Sequence, residues 1–266
     1  MIRDLMYGFL ALAVVSFYIP AEASECTELG NLFKNIDTSR AVELQANGSG
    51  GRTYKQLYDE CDKTNTFNQK PLPAKRKCST DPNLVKGVWK FPDGTIVFIA
   101  KGSVDADGSP LAQSATGTNQ PETSLKWDDT GKSADAEAVS FIVVPLPRAG
   151  VSFSDDSSIV VGDLDVVIRA DNCSAGLVAD KGPGFRLGEG SLRMHEDLGN
   201  PQCAVANQVP CKRLVGGNSG RGLRSVSYIV FPGSKPHPMN VGNIADYQRA
   251  AAAKAKEFLL RFQRVP

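Results

Sequence analysis

The 266 residues carry a net charge of +1, which conceals a strong segregation: positions 24–101 hold twelve basic against nine acidic residues, 102–200 seven against sixteen, and 201–266 ten against two. An acidic centre concentrates cationic ligands, whereas the basic tail is diluted by Gly, Ala and apolar residues and lacks an aromatic-plus-arginine platform, which makes nucleic acid a weak candidate, and no nucleic-acid partner is expected. The length suits one large all-β or mixed domain, and no repeat of solenoid period is present.

Residues 1–23 read as a secretory signal peptide: Arg3 near the start, an apolar core from Leu5 to Ile19, then Ala21-Glu22-Ala23 as a small-x-small cleavage site. The apolar core is too short to span a bilayer comfortably. The expected mature product is an exported monomer (extracellular or periplasmic) without membrane association after cleavage. All six cysteines (Cys26, Cys61, Cys78, Cys173, Cys203 and Cys211) lie beyond this segment, and an even number in an exported chain predicts disulfides. Proximity favours Cys61 with Cys78 and Cys203 with Cys211, although sequence alone leaves the connectivity open.

Residues 24–86 form a polar N-terminal extension tied down by cysteines, with a helix expected around Thr53 to Cys61. From Gly87 onward the pattern changes to short β-type runs: Val88 to Phe91, Thr95 to Ile99, Phe141 to Val144, Ser158 to Val161, a hairpin of Asp165 to Arg169 with Ala175 to Ala179, and Ser227 to Phe231. Six or seven short strands separated by turn signals predict a mainly β fold, a compact barrel or sandwich. Ile244 to Phe262 carries Tyr247, Ala251, Ala255, Phe258, Leu259 and Phe262 at helical spacing, so a C-terminal amphipathic helix should pack on the barrel.

Chemistry concentrates in the stretch from Gly176 to Leu192, GLVADKGPGFRLGEGSL. Asp180 falls at the end of an apolar strand and Glu189 emerges from the far side of a glycine-rich loop, before a helix-like run. Each alone has an ordinary structural explanation, a turn cap or a carboxylate at a helix start. Together they fit an acid and base pair that cleaves glycosidic bonds. His195 and His237, the only histidines, belong to no H-E-x-x-H motif, and no G-x-S-x-G elbow supports a serine hydrolase. Ser103 to Gly108 faintly resembles a calcium loop, but Ser103 and Ser114 stand where its first and last ligands belong. The segment reads either as a turn following the strand to Ile99 or as substrate contact by Asp105 and Asp107, and neither metal nor cofactor is expected.

Asp180-Lys181-Gly182-Pro183 followed by Gly188-Glu189-Gly190-Ser191 resembles the signature of the chitosanases of glycoside hydrolase family 75. The resemblance runs from roughly Thr95 to Ser234 and includes Asp105-Ala106-Asp107-Gly108, the segment Asp135 to Pro145, Gly162-Asp163 and Tyr228 to Ser234. It implies a fold related to double-psi β-barrels in residues 87–266, and an inverting endo-hydrolase of chitosan, a polycation that the acidic central segment suits. It also implies that Asp180 and Glu189 are the catalytic pair, for which we expect Glu189 as acid and Asp180 as base. Substrate contacts are assigned to Asp105, Asp107, Lys181 and Phe185. Lys181 departs from the small hydroxyl residue usual in that family, and a cation there would repel glucosamine and shift preference toward acetylated or anionic glycans. Two alternatives stand beside this reading: a peptidoglycan-cleaving enzyme using Asp180 alone, and a glycan-binding protein without activity.

Overall fold

The computed structural model describes residues 21–114, 120–206, 208–217 and 220–264. The expected signal peptide lies outside the described residues except for its last three, which open the first helix. In chain order the elements are α1 (Ala21–Lys34), β1 (Val42–Glu43), α2 (Tyr54–Thr64), β2 (Thr66–Phe67), β3 (Lys70–Pro71), β4 (Gly87–Lys90), β5 (Ile96–Asp105), α3 (Pro110–Ser114), β6 (Phe141–Pro145), α4 (Phe153–Ser157), β7 (Leu164–Arg169), β8 (Asn172–Gly182), β9 (Glu189–Ser191), α5 (Leu192–Asp197), β10 (Leu223–Phe231) and α6 (Ile244–Arg261).

Six strands close on themselves in the order β5, β10, β7, β8, β6, β9 and back to β5, with β4 and then β1 attached outside β5. The barrel is mixed: β6 with β8 and β5 with β9 run parallel, and the other neighbours in the ring are antiparallel. Closure leaves the ring no free edge, and it is what brings the chain's two expected carboxylates to one end of the barrel. The long strand β5 changes partner along one side. Ile96 to Ile99 pair with β4, whereas Ser103 to Asp105 pair with β9. Between them Lys101 donates its backbone N–H to Asn83, at 2.9 Å.

Alternation along the strands builds two apolar clusters. Val166, Ile168, Leu177, Ala179 and Ile229 belong to one, joined by α1 and α6 through Leu29, Ala251, Ala255, Phe258 and Leu259. Val167, Val178, Tyr228 and Val230 belong to the other, together with Leu44, Tyr54, Leu57, Tyr58 and Phe67 of the N-terminal segment. The alanine run of α6 favours helix, and all six residues expected on its apolar face are buried. Phe258 and Phe262 meet Phe91 edge-on at centroid distances of 4.8 and 4.9 Å. Full burial of such a ring contributes roughly 1.5–3 kcal/mol. The helix expected near Thr53 begins with a capping box, in which Thr53 and Gln56 exchange side-chain and backbone hydrogen bonds.

Three disulfides form: Cys61–Cys78 and Cys203–Cys211, as proximity suggested, and Cys26–Cys173, which ties α1 to the barrel strand β8. No helix among the described residues is long and apolar enough to cross a membrane.

One expected strand is absent. Ser158 to Val161 is not a strand, because Ser158 ends α4 in the left-handed conformation (φ 63°). Asp163 then closes a turn, accepting the Val160 N–H at 2.8 Å on its carboxylate while its own N–H bonds Val160 O at 3.1 Å. The β-branched residues there mimic a strand locally, but their hydrogen bonds are satisfied by a turn.

Candidate active site

A bulge creates the centre of the site. Ile142 pairs with Val178 and the next residue, Val143, pairs with Asp180, so Ala179 is the extra residue on β8. Bulges free a backbone group from the ladder and re-aim the next side chain. Here the freed Ala179 carbonyl accepts the Leu125 N–H at 2.8 Å. That contact sets Ser124 against Asp180, and both the backbone N–H and the hydroxyl of Ser124 donate to Asp180 Oδ1, at 2.8 and 2.6 Å. One carboxylate oxygen thus accepts two hydrogen bonds.

Asp105 ends β5 and Asp107 lies in the turn beyond it. The Asp107 N–H bonds Asp105 Oδ1 at 2.9 Å, and the Gln120 N–H bonds Asp107 Oδ1 at 2.6 Å. One carboxylate oxygen from each of Asp105, Asp107 and Asp180 falls within 4.8 Å of the others. Like charges at this separation cannot all be ionised cheaply. Burial, and then Asp107 beside it, push the Asp105 carboxyl well above the usual carboxylate range. Burial and the proximity of Asp180 push Asp107 up to about 7, and its carboxyl hydrogen-bonds Asp180. The trio thus favours a proton on Asp107. Three oxygens so placed would also suit a hard divalent cation, which prefers carboxylate and carbonyl oxygen.

Glu189 opens β9, in register with Val143 on one side and Ser103 on the other. Gly188 before it has φ +86°, a conformation open to glycine at no steric cost. Gly182 clears space for the carboxyl, since a Cβ there would stand 2.7 Å from Glu189 Oε2. Burial raises the Glu189 carboxyl above its ordinary range; Lys101 and Arg186 oppose that shift, and Asp81 and Asp180 reinforce it. Two carboxyl groups on the two sides of β6, one of them raised by burial, are the components of general acid and base catalysis.

The remaining expected contacts divide. Asp105 and Asp107 join the site. Lys181 is exposed and forms no ion pair among the described residues. Phe185 is 4% exposed within the core, with the guanidinium groups of Arg148 and Arg186 over its ring at 5.3 and 5.6 Å. Gly184 beside it packs closely against Leu146 and Arg148, leaving no room for a Cβ. Ser124, Lys101, Arg186 and Asp81 were not anticipated. Arg186 lies within the conspicuous loop and Lys101 interrupts an apolar strand, whereas Ser124 and Asp81 carry no local signal.

His195 is a structural residue. It is fully buried, with Nε2 3.0 Å from Ser103 O and Nδ1 3.0 Å from Asn200 Nδ2. Those partners hold it as the neutral tautomer that donates from Nε2.

No known protein-family model matches the chain and no curated protein matches it, so the resemblance to family 75 chitosanases rests on the motifs themselves.

Proposed function

We propose that the protein is an exported endo-glycoside hydrolase that cleaves β-1,4 linkages of chitosan or a related amino-sugar polymer with inversion, acting as a monomer. The observation that carries this reading is the placement of two carboxyl groups, Asp180 and a Glu189 that burial biases toward protonation, on the strands flanking β6. Two inter-strand spacings separate their backbones by roughly 9–10 Å. Inverting hydrolysis needs carboxyl groups about 6.5–9.5 Å apart, with room for water between the base and the sugar. In this mechanism Glu189 gives its proton to the leaving glycosidic oxygen. Asp180 takes a proton from water as that water attacks the anomeric carbon from the opposite face. The acidic middle of the chain favours a polycationic substrate, and three disulfides suit an oxidising compartment.

The test is reducing-sugar release by the mature protein from chitosan, with chitin oligomers and peptidoglycan in parallel, alongside Asp180→Asn and Glu189→Gln. Release from chitosan that both substitutions abolish, with the inverted anomer seen first by proton NMR, supports the reading. No release from any polymer by the folded wild type overturns it. The clustering of Asp105 and Asp107 on Asp180 favours one second reading, cleavage of peptidoglycan with Asp180 as the single essential acid. Dependence on Asp180 but not Glu189 would select it.

A further inference from the structure

Three charged groups beside Glu189 are arranged so that the two cations face an anion other than Glu189. Asp81, from the N-terminal segment, bridges Lys101 and Arg186: its Oδ1 is 2.7 Å from Lys101 Nζ and its Oδ2 is 3.1 Å from Arg186 Nη1. The Asp81 backbone carbonyl accepts from the same two side chains. Lys101 and Arg186 are largely buried, with side chains 6% and 12% exposed, whereas Asp81 remains 60% exposed. A buried cation must be paired, and the pairing here is taken by Asp81.

The strap that carries Asp81 is firmly anchored. Cys78 is bonded to Cys61 of α2. The carboxylate of Asp62 accepts the N–H groups of Asn83 and Leu84 at 2.8 and 3.0 Å. Asn83 is fully buried; its side chain accepts from Leu187 N at 3.1 Å and donates to Phe185 O at 3.2 Å, while its carbonyl receives the Lys101 N–H. The strap therefore fills the gap on β5 between β4 and β9 and clasps both ends of the Phe185 to Leu187 turn that leads into Glu189.

Resting on the glycosidase reading of this site, we propose that Asp81 is a positioning residue, which holds Lys101 and Arg186 away from Glu189 and so keeps Glu189 a proton donor. Released from Asp81, the two cations would turn to the nearest remaining anion and pair with Glu189 as a carboxylate. The groups that face Glu189 are Lys101 and Asp105 on β5, Arg186 in the preceding loop, Asp180 on β8, Asp107 in the turn after β5, Tyr58 on α2, Tyr228 on β10, and Asp81 itself. Only Lys101 and Arg186 among them are cations, so their pairing sets how far they oppose the upward push of burial on Glu189.

The experiment is a carbon-detected NMR titration of the Glu189 carboxyl in the full disulfide-bonded mature protein, comparing wild type, Asp81→Asn, Asp81→Glu and Arg186→Gln, with the pH profile of chitosan cleavage recorded in parallel. Asp81→Asn should move the Glu189 midpoint toward acid and lower activity on the alkaline side of the profile about tenfold, the equivalent of one unit of displacement. Arg186→Gln should move the midpoint the opposite way, and Asp81→Glu should restore it. An unchanged midpoint in Asp81→Asn, with native amide shifts, would overturn the inference, as would movement in the same direction for Asp81→Asn and Arg186→Gln. Displaced midpoints of opposite sign in a protein that cleaves no polymer would sustain the positioning role and refute the glycosidase reading alone.

Discussion

Asp180 and Glu189 stand at the same level on the two strands that flank β6, each in register with Val143. They are nine positions apart in sequence, yet one strand lies between them, because the loop from Gly182 to Gly188 carries the chain across the end of β6. Each contributes to a different part of the environment. Asp180 belongs with Ser124, Asp105 and Asp107, and Glu189 with Lys101 and Arg186.

The pair sets the first expectation. Asp180→Asn and Glu189→Gln should each lower chitosan cleavage by about 10²–10⁴, the usual contribution of a positioned acid or base, without loss of the folded state. Gly182→Ala tests the geometry rather than the charge. Its Cβ would stand 2.7 Å from Glu189 Oε2 and 2.9 Å from Val143 Cγ1, so turnover should fall steeply while circular dichroism is preserved.

Asp107 should be visible in the pH dependence. Its carboxyl is pushed up to about 7 by burial and by Asp180, so a proton is released from the trio near neutrality. Asp107→Asn keeps the size and the hydrogen bond to Asp180 but removes that titration. The expected result is the loss of the step near pH 7 from the profile, with Asp180 still required. An unaltered step would assign it to another group.

Ser124→Ala removes one of two hydrogen bonds to Asp180 Oδ1 and leaves the backbone donor in place. A hydrogen bond to a charged group contributes about 1.5–3 kcal/mol, so activity should fall about tenfold or more. A double-mutant cycle with Asp180→Asn should show strong non-additivity, and independent effects would place Ser124 outside the site's chemistry.

Two buried groups give stability opposite slopes with pH. His195 is lowered from 6.5 to about 4 by burial. Its folded form resists protonation, so the stability it contributes is present above pH 6.5 and is lost as pH falls through 4, on the order of 3 kcal/mol. Asp165 on β7 is fully buried with neither oxygen partnered among the described residues, and burial raises its carboxyl well above the ordinary 3.8. Its stability contribution is present below that value and is lost as pH rises. Asp165→Val should therefore stabilise the neutral-pH protein by about 1–3 kcal/mol, the cost of an unsatisfied buried polar group. Urea unfolding of wild type and variant at several pH values checks both slopes.

The disulfides should differ in what they contribute. In the chain-entropy picture, loops of 17 residues for Cys61–Cys78 and 147 for Cys26–Cys173 correspond to about 3 and about 5 kcal/mol. Paired Cys→Ala variants measured by thermal unfolding test that order. Only the Cys61–Cys78 variant should also alter the pH profile, since it alone anchors the strap carrying Asp81.

Local regularity is what the sequence by itself determined. The helical spacing of α6, the helix near Thr53, the β-branched runs of β5 to β8 and β10, and the nearby cysteine pairs each depend on residues close in the chain, and each formed as read. The glycine-rich loop marked Asp180 and Glu189 for the same reason. Ser158 to Val161 shows where such reading stops: the residue types favour a strand, but a turn closed by Asp163 satisfies the backbone instead. Only the tertiary structure decided which groups surround the carboxylates. Ser124 reaches Asp180 across 56 positions because a bulge frees the Ala179 carbonyl. Asp81 reaches Arg186 because β5 leaves a gap between β4 and β9. Phe185 is buried beside a Gly184 that packs closely against Leu146 and Arg148. Barrel closure governs all three, and closure is a property of strand pairings far apart in sequence, which no local pattern encodes.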